Sequence, residues 1–203
     1  MRYLSNHSSG KMGYAIARVA RRRGAEVVLV SGPSDLPAPP GVRTLVVSSA
    51  AEMARALEEE FRSASILVMA AAVADYRPRR PAVRKLKKSA ASLSLDLERT
   101  RDILASLAAR KGRRLVVGFA AETNDVAQEA RRKLREKRLD LIVANDVTAS
   151  GAGFGSDTNV VQLIDAGGET QALPVLPKEE VAGRILDWLV ARRERRPALR
   201  RVR

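Results

Sequence analysis

The sequence predicts an α/β fold: a Rossmann-like, mostly parallel sheet with helices on both faces. Apolar runs of strand length alternate with segments of helical period. The runs are almost uniformly apolar, as strands covered on both faces are. The polar stretches "AAVADYRP", "GFAAETND" and "ANDVTASGAGFGSDTN" each follow such a run, and ligands of doubly wound folds sit past the carboxyl ends of strands.

The elements follow in order. "SNHSSGKMG", residues 5–13, is a hydroxyl-rich turn that runs into a helix over 12–23. Met12, Ala15, Ile16, Val19 and Ala20 share one face of that helix and Gly24 stops it. Ser8, Ser9, Gly10 and Lys11 suit a phosphate at a helix start and suit plain capping equally well. The loop is not a Walker A motif, because no glycine stands five residues before Gly10 and Met12 takes the Ser/Thr position. "AEVVLVSG" and "TLVVSS" are strands separated by a proline-rich loop. Ser49 and Glu52 form a capping box for a helix over 52–62. "SILVMAAA" is the next strand. Residues 77–88 have no period and read as an excursion, and "LSLDLE" alternates as a strand. A helix over 102–110, the strand "RLVVGFA", a helix with a basic face over 125–138 and the strand "LDLIVAND" follow. "NVVQLIDAGGETQALPVL" reads as a hairpin turning at Gly167 and Gly168. Pro177 opens a last helix with Val181, Ile185, Trp188 and Leu189 inward. One domain over 1–192 and a basic tail over 193–203 account for the chain.

Composition narrows the chemistry. The chain carries 37 basic and 23 acidic residues, a formal charge of +14, and 29 of the basic residues are arginine. Such a field favours anionic partners. Nucleic acid is disfavoured, since aromatics are only 3% of the chain and no nucleic-acid-binding motif is evident. With no cysteine and one histidine, His7, thiol chemistry, disulfides and histidine-rich metal sites are excluded. The longest apolar run, "ILVMAAAVA", is too short to span a bilayer, and no signal-peptide pattern opens the chain. A cytoplasmic location is the expectation.

Several motifs stay open when read singly. "RKLKK", residues 84–88, is either a solvated charge run or a flap over a triphosphate, a role for which flexible lysines are suited. "GAGFGS" lacks the third glycine of a dinucleotide loop and reads as an ordinary loop. Asp75, Asp102, Glu122, Asp146 and Asp157 follow apolar runs or open helices. Any of them could hold magnesium or a nucleotide hydroxyl.

Taken together, "RYLSNHSSGKMG", "AAVADYRP", "RKLKK", "GFAAETND", "LDLIVANDV" and "GFGSDTNVV", in this order, resemble the phosphopantothenate–cysteine ligases (phosphopantothenoylcysteine synthetases) of coenzyme A biosynthesis. In many bacteria this is the C-terminal half of a bifunctional protein whose other half is a flavin-dependent decarboxylase. The resemblance implies a homodimer that joins 4'-phosphopantothenate to L-cysteine through an acyl-cytidylate. It implies CTP as co-substrate, magnesium, no flavin in this chain, no membrane partner, and a separate phosphopantothenoylcysteine decarboxylase as a possible partner. Asn6 then acts on the intermediate and Lys85 meets the triphosphate. Ala71, Ala72, Asp75 and Phe119 line the nucleotide. Thr100, Arg101, Asp102 and Ile103 match a nucleotide segment usually written Thr/Asn-Pro-Asp-Ile, with Arg101 in the place of proline. Lys133 and Lys137 match two further nucleotide-binding lysines, and their spacing puts both on one helix face. Ser8, Ser9, Gly10 and Lys11 form the phosphate or substrate loop.

One departure has a structural consequence. Members of this family begin the domain with a strand and a "GGTxEPID"-type loop ahead of the segment matching Arg2, and neither is present. That strand would be central in a doubly wound sheet, so its loss exposes strand edges. The expectation is a chain whose start lies upstream, or a fragment. The alternatives to the ligase are a truncated, non-catalytic homologue and, less favoured, a basic nucleic-acid-binding protein.

Overall fold

In a computed structural model of the chain, the residues described are 4–82, 94–122, 125–146 and 155–195. The elements run α1 (Lys11–Arg22), β1 (Val28–Ser31), β2 (Arg43–Val46), α2 (Ala50–Glu60), β3 (Ile66–Met69), β4 (Tyr76–Pro78), β5 (Leu97–Arg99) and α3 (Ile103–Ala108). They continue with β6 (Leu115–Glu122), α4 (Val126–Glu136), β7 (Leu141–Asp146), β8 (Thr158–Asn159), β9 (Val161–Asp165), β10 (Thr170–Ala172), β11 (Leu176–Pro177) and α5 (Lys178–Glu194).

The main sheet has five strands in the order β10-β9-β7-β6-β3. β3, β6 and β7 are parallel, and β9 and β10 complete the sheet as an antiparallel hairpin. The predicted turn at Gly167 and Gly168 is held by Asp165, whose Oδ1 accepts from the Gly167 and Glu169 amides at 2.8 and 3.0 Å. Strand alternation divides the core between two faces. Val116, Ile142, Ala144 and Ile164 pack with α2, α3 and α4. Leu115, Val117, Leu141, Val143, Val161 and Leu163 pack with α1 and α5. The near-continuous apolar runs are explained by this two-sided cover. At Gly118 the packing leaves no room for a side chain, because a Cβ would stand 2.7 Å from Leu139 Cδ1 and 2.8 Å from Leu104 Cδ2.

β1 and β2 form a parallel pair of their own. Among the described residues no ladder joins them to β3, the place of the expected central strand. Val30 of β1 and Leu67 of β3 nevertheless pack in one apolar cluster, with Met53 and Ala54 of α2. Among the described residues the two sheets thus share one core without a common ladder.

The helix ends follow local chemistry. Ser49 Oγ caps α2 by accepting from the Glu52 amide at 3.2 Å, while the Glu52 carboxylate accepts from the Ser48 amide at 2.7 Å. The capping box therefore closes one residue earlier than predicted on its return arm. The excursion read over 77–88 needs correction at its start. Arg77 and Pro78 belong to β4, which pairs antiparallel with β5, so part of "LSLDLE" lies outside the main sheet. The antiparallel pair β8–β11 was carried by no periodic signal, being only two residues per strand. The "RKLKK" segment with Lys85, and residues 151–154 of the "GAGFGS" loop, lie outside the described residues. No described helix is long and apolar enough to cross a membrane.

Candidate active site

The carboxyl ends of β3 and β6 lie side by side, with Met69 opposite Gly118. A cavity opens there, lined by Ala71, Asp75, Thr100, Arg101, Asp102, Ile103, Phe119 and Lys137, together with Val73 and neighbours. Eight residues assigned to the nucleotide by resemblance thus converge on one cavity. Thr100 draws the segment in: its amide donates to Asp75 O at 2.8 Å and its hydroxyl to Ala74 O at 2.6 Å.

Asp102 is the N-cap of α3, where its Oδ1 accepts from the Ala105 amide at 2.9 Å. Its Oδ2 pairs with Lys137 Nζ at 2.9 Å. Partial burial raises its pKa, but the Ala105 amide and the Lys137 ammonium outweigh that, and the net shift is downward. Where the family carries proline, Arg101 pairs with Glu58 Oε1 at 2.7 Å and donates through Nε to Ser106 Oγ at 3.0 Å. Glu58 also takes Arg110 at 3.1 Å. Arg101, then Arg110, hold the Glu58 carboxyl below its ordinary range. Side-chain bonds therefore fasten the loop that a fixed proline φ would stiffen. Asp75 is exposed, and its carboxylate has no hydrogen-bond or ion-pair partner among the described residues.

A second cavity adjoins the first, and Ala71 and Phe119 line both. Its other walls are Ser8 to Gly13, Ala70, Ala72, Ala120, Ala121, Asn145, Asn159 and Lys178. Gly10 is the N-cap of α1 in a left-handed conformation, φ +74°, that disfavours a side chain. No side-chain hydrogen bond caps α1, and Ser8 Oγ and Ser9 Oγ accept from the Gly10 and Lys11 amides, each at 3.4 Å. Lys11 turns its ammonium to Asp157 Oδ1 at 2.7 Å and to Gly155 O at 3.0 Å. That bond lowers the Asp157 pKa.

The predicted residues do not all meet at these walls. Asn6 lines neither cavity; its Nδ2 donates to Val73 O at 3.0 Å, which anchors the 5–13 loop beside the first cavity. Lys133 is one helical turn before Lys137 on α4 but is absent from both linings. Lys85 lies outside the described residues. Three polar lining residues, Asn145, Asn159 and Lys178, are not among the residues the sequence singles out. Asn145 stands at the carboxyl end of β7, where the neighbouring acid Asp146 drew the attention. Its Oδ1 is buried and has no hydrogen-bond partner among the described residues. Asn159 stands in β8, inside the motif "GFGSDTNVV", and Lys178 in the first turn of α5, where no motif falls; nothing in the sequence marks either as a cavity wall.

The donor set does not make a protein cage for a metal. No group of three His, Cys, Asp or Glu side chains clusters among the described residues. Asp75 and Asp102 both line the first cavity, but Asp102 is committed to Lys137. That arrangement fits a magnesium ion held chiefly by substrate phosphates and water, with a single carboxylate within reach.

Fold and site define a doubly wound α/β protein with two adjoining ligand cavities at the carboxyl edge of its sheet. The chain belongs to the family of the DNA/pantothenate metabolism flavoprotein C-terminal domain, which it matches over residues 1–192. It is 45% identical over 192 residues to the coenzyme A biosynthesis bifunctional protein CoaBC of Bacillus subtilis, covering 94% of this chain and 47% of that protein. The Escherichia coli K12 protein of the same name is 47% identical over 196 residues, covering 95% of this chain and 48% of the relative. The chain thus spans about half the length of these relatives. The crystal structure of the C-terminal domain of a CoaBC protein superposes with a TM-score of 0.81 at 43% identity, covering 96% of this chain and 88% of that one.

Proposed function

We propose that the chain is the ligase part of coenzyme A biosynthesis, joining 4'-phosphopantothenate to L-cysteine at the expense of CTP. The single observation that carries this is the convergence of Ala71, Asp75, Thr100 to Ile103, Phe119 and Lys137 on one cavity that adjoins a second. A reaction of three substrates needs such contiguous space.

In the first step a carboxylate oxygen attacks the α-phosphorus of CTP, the bond to the β-phosphate breaks, and pyrophosphate leaves. In the second, the cysteine amine attacks the acyl carbon, the bond to CMP breaks, and the amine proton passes to solvent. No protein nucleophile is needed, so a chain without cysteine can do this by positioning and charge stabilisation. Magnesium would neutralise the phosphates when bound. Phe119, on the wall common to both cavities, sits where base or acyl chain would pack. Lys137, already oriented by Asp102, faces the nucleotide cavity, and Lys85 reaches the triphosphate. Asn6 acts on the acyl-cytidylate. A homodimer, a cytoplasmic location and cooperation with a flavin-dependent decarboxylase belong to the same reading.

The test is pyrophosphate release that requires CTP, phosphopantothenate and magnesium, followed by CMP release that requires cysteine. The expected result is stoichiometric formation of the amide. Absence of CTP-dependent pyrophosphate release, from a chain that binds the nucleotide, would establish the non-catalytic alternative.

A further inference from the structure

The cavity beside the α1 N-terminus differs in charge from its neighbour. Asp75 and Asp102 line the first cavity with Arg101 and Lys137, whereas the second has Lys11 and Lys178 and no carboxylate among its lining residues. Lys178 is only 7% exposed. Its ammonium donates to Ser156 O, to Thr158 O at 2.9 Å and to Asn159 Oδ1 at 2.9 Å. Three carbonyl oxygens thus satisfy all three protons, and among the described residues no carboxylate pairs with the charge. Burial, then the nearby Lys11, hold its pKa below the ordinary lysine value against the weaker pull of Asp157.

This bond fixes the polarity of Asn159. Because Oδ1 accepts from Lys178, the amide must turn Nδ2 the other way, and there it donates only to the thioether of Met12 at 3.5 Å. A thioether is a weak acceptor, so an anionic oxygen would displace it. Asn159 and Met12 both line the cavity. Asn145 Oδ1, buried in the same lining without a partner among the described residues, is an acceptor, and so calls for a donor, a hydroxyl or amide N–H of the same ligand, beside the anionic group.

We propose that Lys178 is a positioning residue: it holds the Asn159 amide donor-outward and supplies a buried positive charge, so that this cavity takes a phosphate group. The inference deepens the ligase reading and rests on it for the identity of the ligand. Two sources share the chemistry, the triphosphate of CTP and the 4'-phosphate of phosphopantothenate.

The discriminating variant is Asn159→Asp. A carboxylate there pairs with Lys178 and compensates its charge, so the melting temperature is held or raised, while the cavity loses a donor and gains an anion. Affinity is measured calorimetrically for inorganic triphosphate, CTP and phosphopantothenate, with cytidine and pantothenate as phosphate-free controls. The expected result is about tenfold or greater weakening for inorganic triphosphate and for one phosphorylated substrate, with the controls unchanged. Loss on CTP assigns the cavity to the triphosphate, and loss on phosphopantothenate to the acid. Lys178→Met serves as a second variant with the same pattern superimposed on a lower melting temperature, because it strands three acceptors. Unchanged affinity for every phosphate ligand in a folded Asn159→Asp protein overturns the proposal, as does equal weakening of the controls. Triphosphate binding that depends on Asn159, in a protein without ligase turnover, would leave this site standing while the ligase reading fails.

Discussion

Asn145 places an acceptor at the cavity wall where a ligand donor can reach it. Its Oδ1 is buried without a partner among the described residues, and an unsatisfied buried acceptor is costly, by about 1–3 kcal/mol. Asn145→Ala removes that acceptor and also loses a little packing. The two effects oppose each other, so the urea midpoint of the free protein should stay nearly unchanged. Binding should suffer instead, with the substrate that occupies the second cavity bound at least about tenfold more weakly. A large fall in midpoint with unaltered binding would show that Asn145 is a structural residue after all. Gly10 belongs to the same scale. Its φ of +74° and the Ser34 hydroxyl 3.3 Å from a would-be Cβ explain why glycine precedes Lys11, independently of any phosphate.

At the scale of elements, α3 is a six-residue helix, too short to persist without its cap and its packing. Asp102 does two things there, capping the helix and pairing with Lys137 of the segment that ends α4. The two roles separate by substitution. Asp102→Asn keeps a capping oxygen and loses the charge, and should stay within about 0.5 kcal/mol of the parent in stability, the pair being half exposed. Asp102→Ala loses the cap as well and should fall by about 1 kcal/mol. Both should raise the KM for CTP, because Lys137 is released in each. Urea unfolding and KM measured on the two variants check this, and equal stability losses would assign the whole effect to the ion pair. The same elements show what a sequence discloses. The two-sided burial of β6 and β7 imprints an uninterrupted apolar run, which discloses where the strand-end loops begin, whereas the individual cavity residues from Ala71 to Phe119 are legible only through the resemblance of their motifs. β8 and β11, two residues long, leave no periodic signal, so the sequence does not disclose that Asn159 of the motif "GFGSDTNVV" meets Lys178 at the start of α5. Asn6 could be named from its motif but not its bond to Val73, which depends on how two loops meet in space.

Across the whole molecule, paired carboxylates act as clamps between elements. Glu179 ties α5 to Arg22 and Arg18 of α1, Asp157 ties the segment before β8 to Lys11, Glu58 ties α2 to Arg101 and Arg110, and Asp102 ties α3 to Lys137. Each of these carboxyls has its pKa lowered in the folded chain. A depressed folded pKa gives stability that is present above the unfolded value, about 4, and lost as pH falls through the folded value. Protonation also leaves 37 basic residues without counter-charge, so repulsion adds to the loss. The melting temperature should therefore hold near neutral pH and fall steeply below about pH 4. Glu179→Gln isolates one clamp. Its Oε1 takes Arg18 at 3.0 Å and its other oxygen takes Arg22, and the Arg22 bond, then the Arg18 bond, lower its pKa. The variant lacks this contribution at every pH, whereas the parent lacks it only once the carboxyl is protonated. The gap in melting temperature between the two should thus be open at pH 7 and narrow as pH falls below the unfolded carboxyl value, about 4. A gap that persists undiminished at low pH would mean that Glu179 acts through packing and not through its charge.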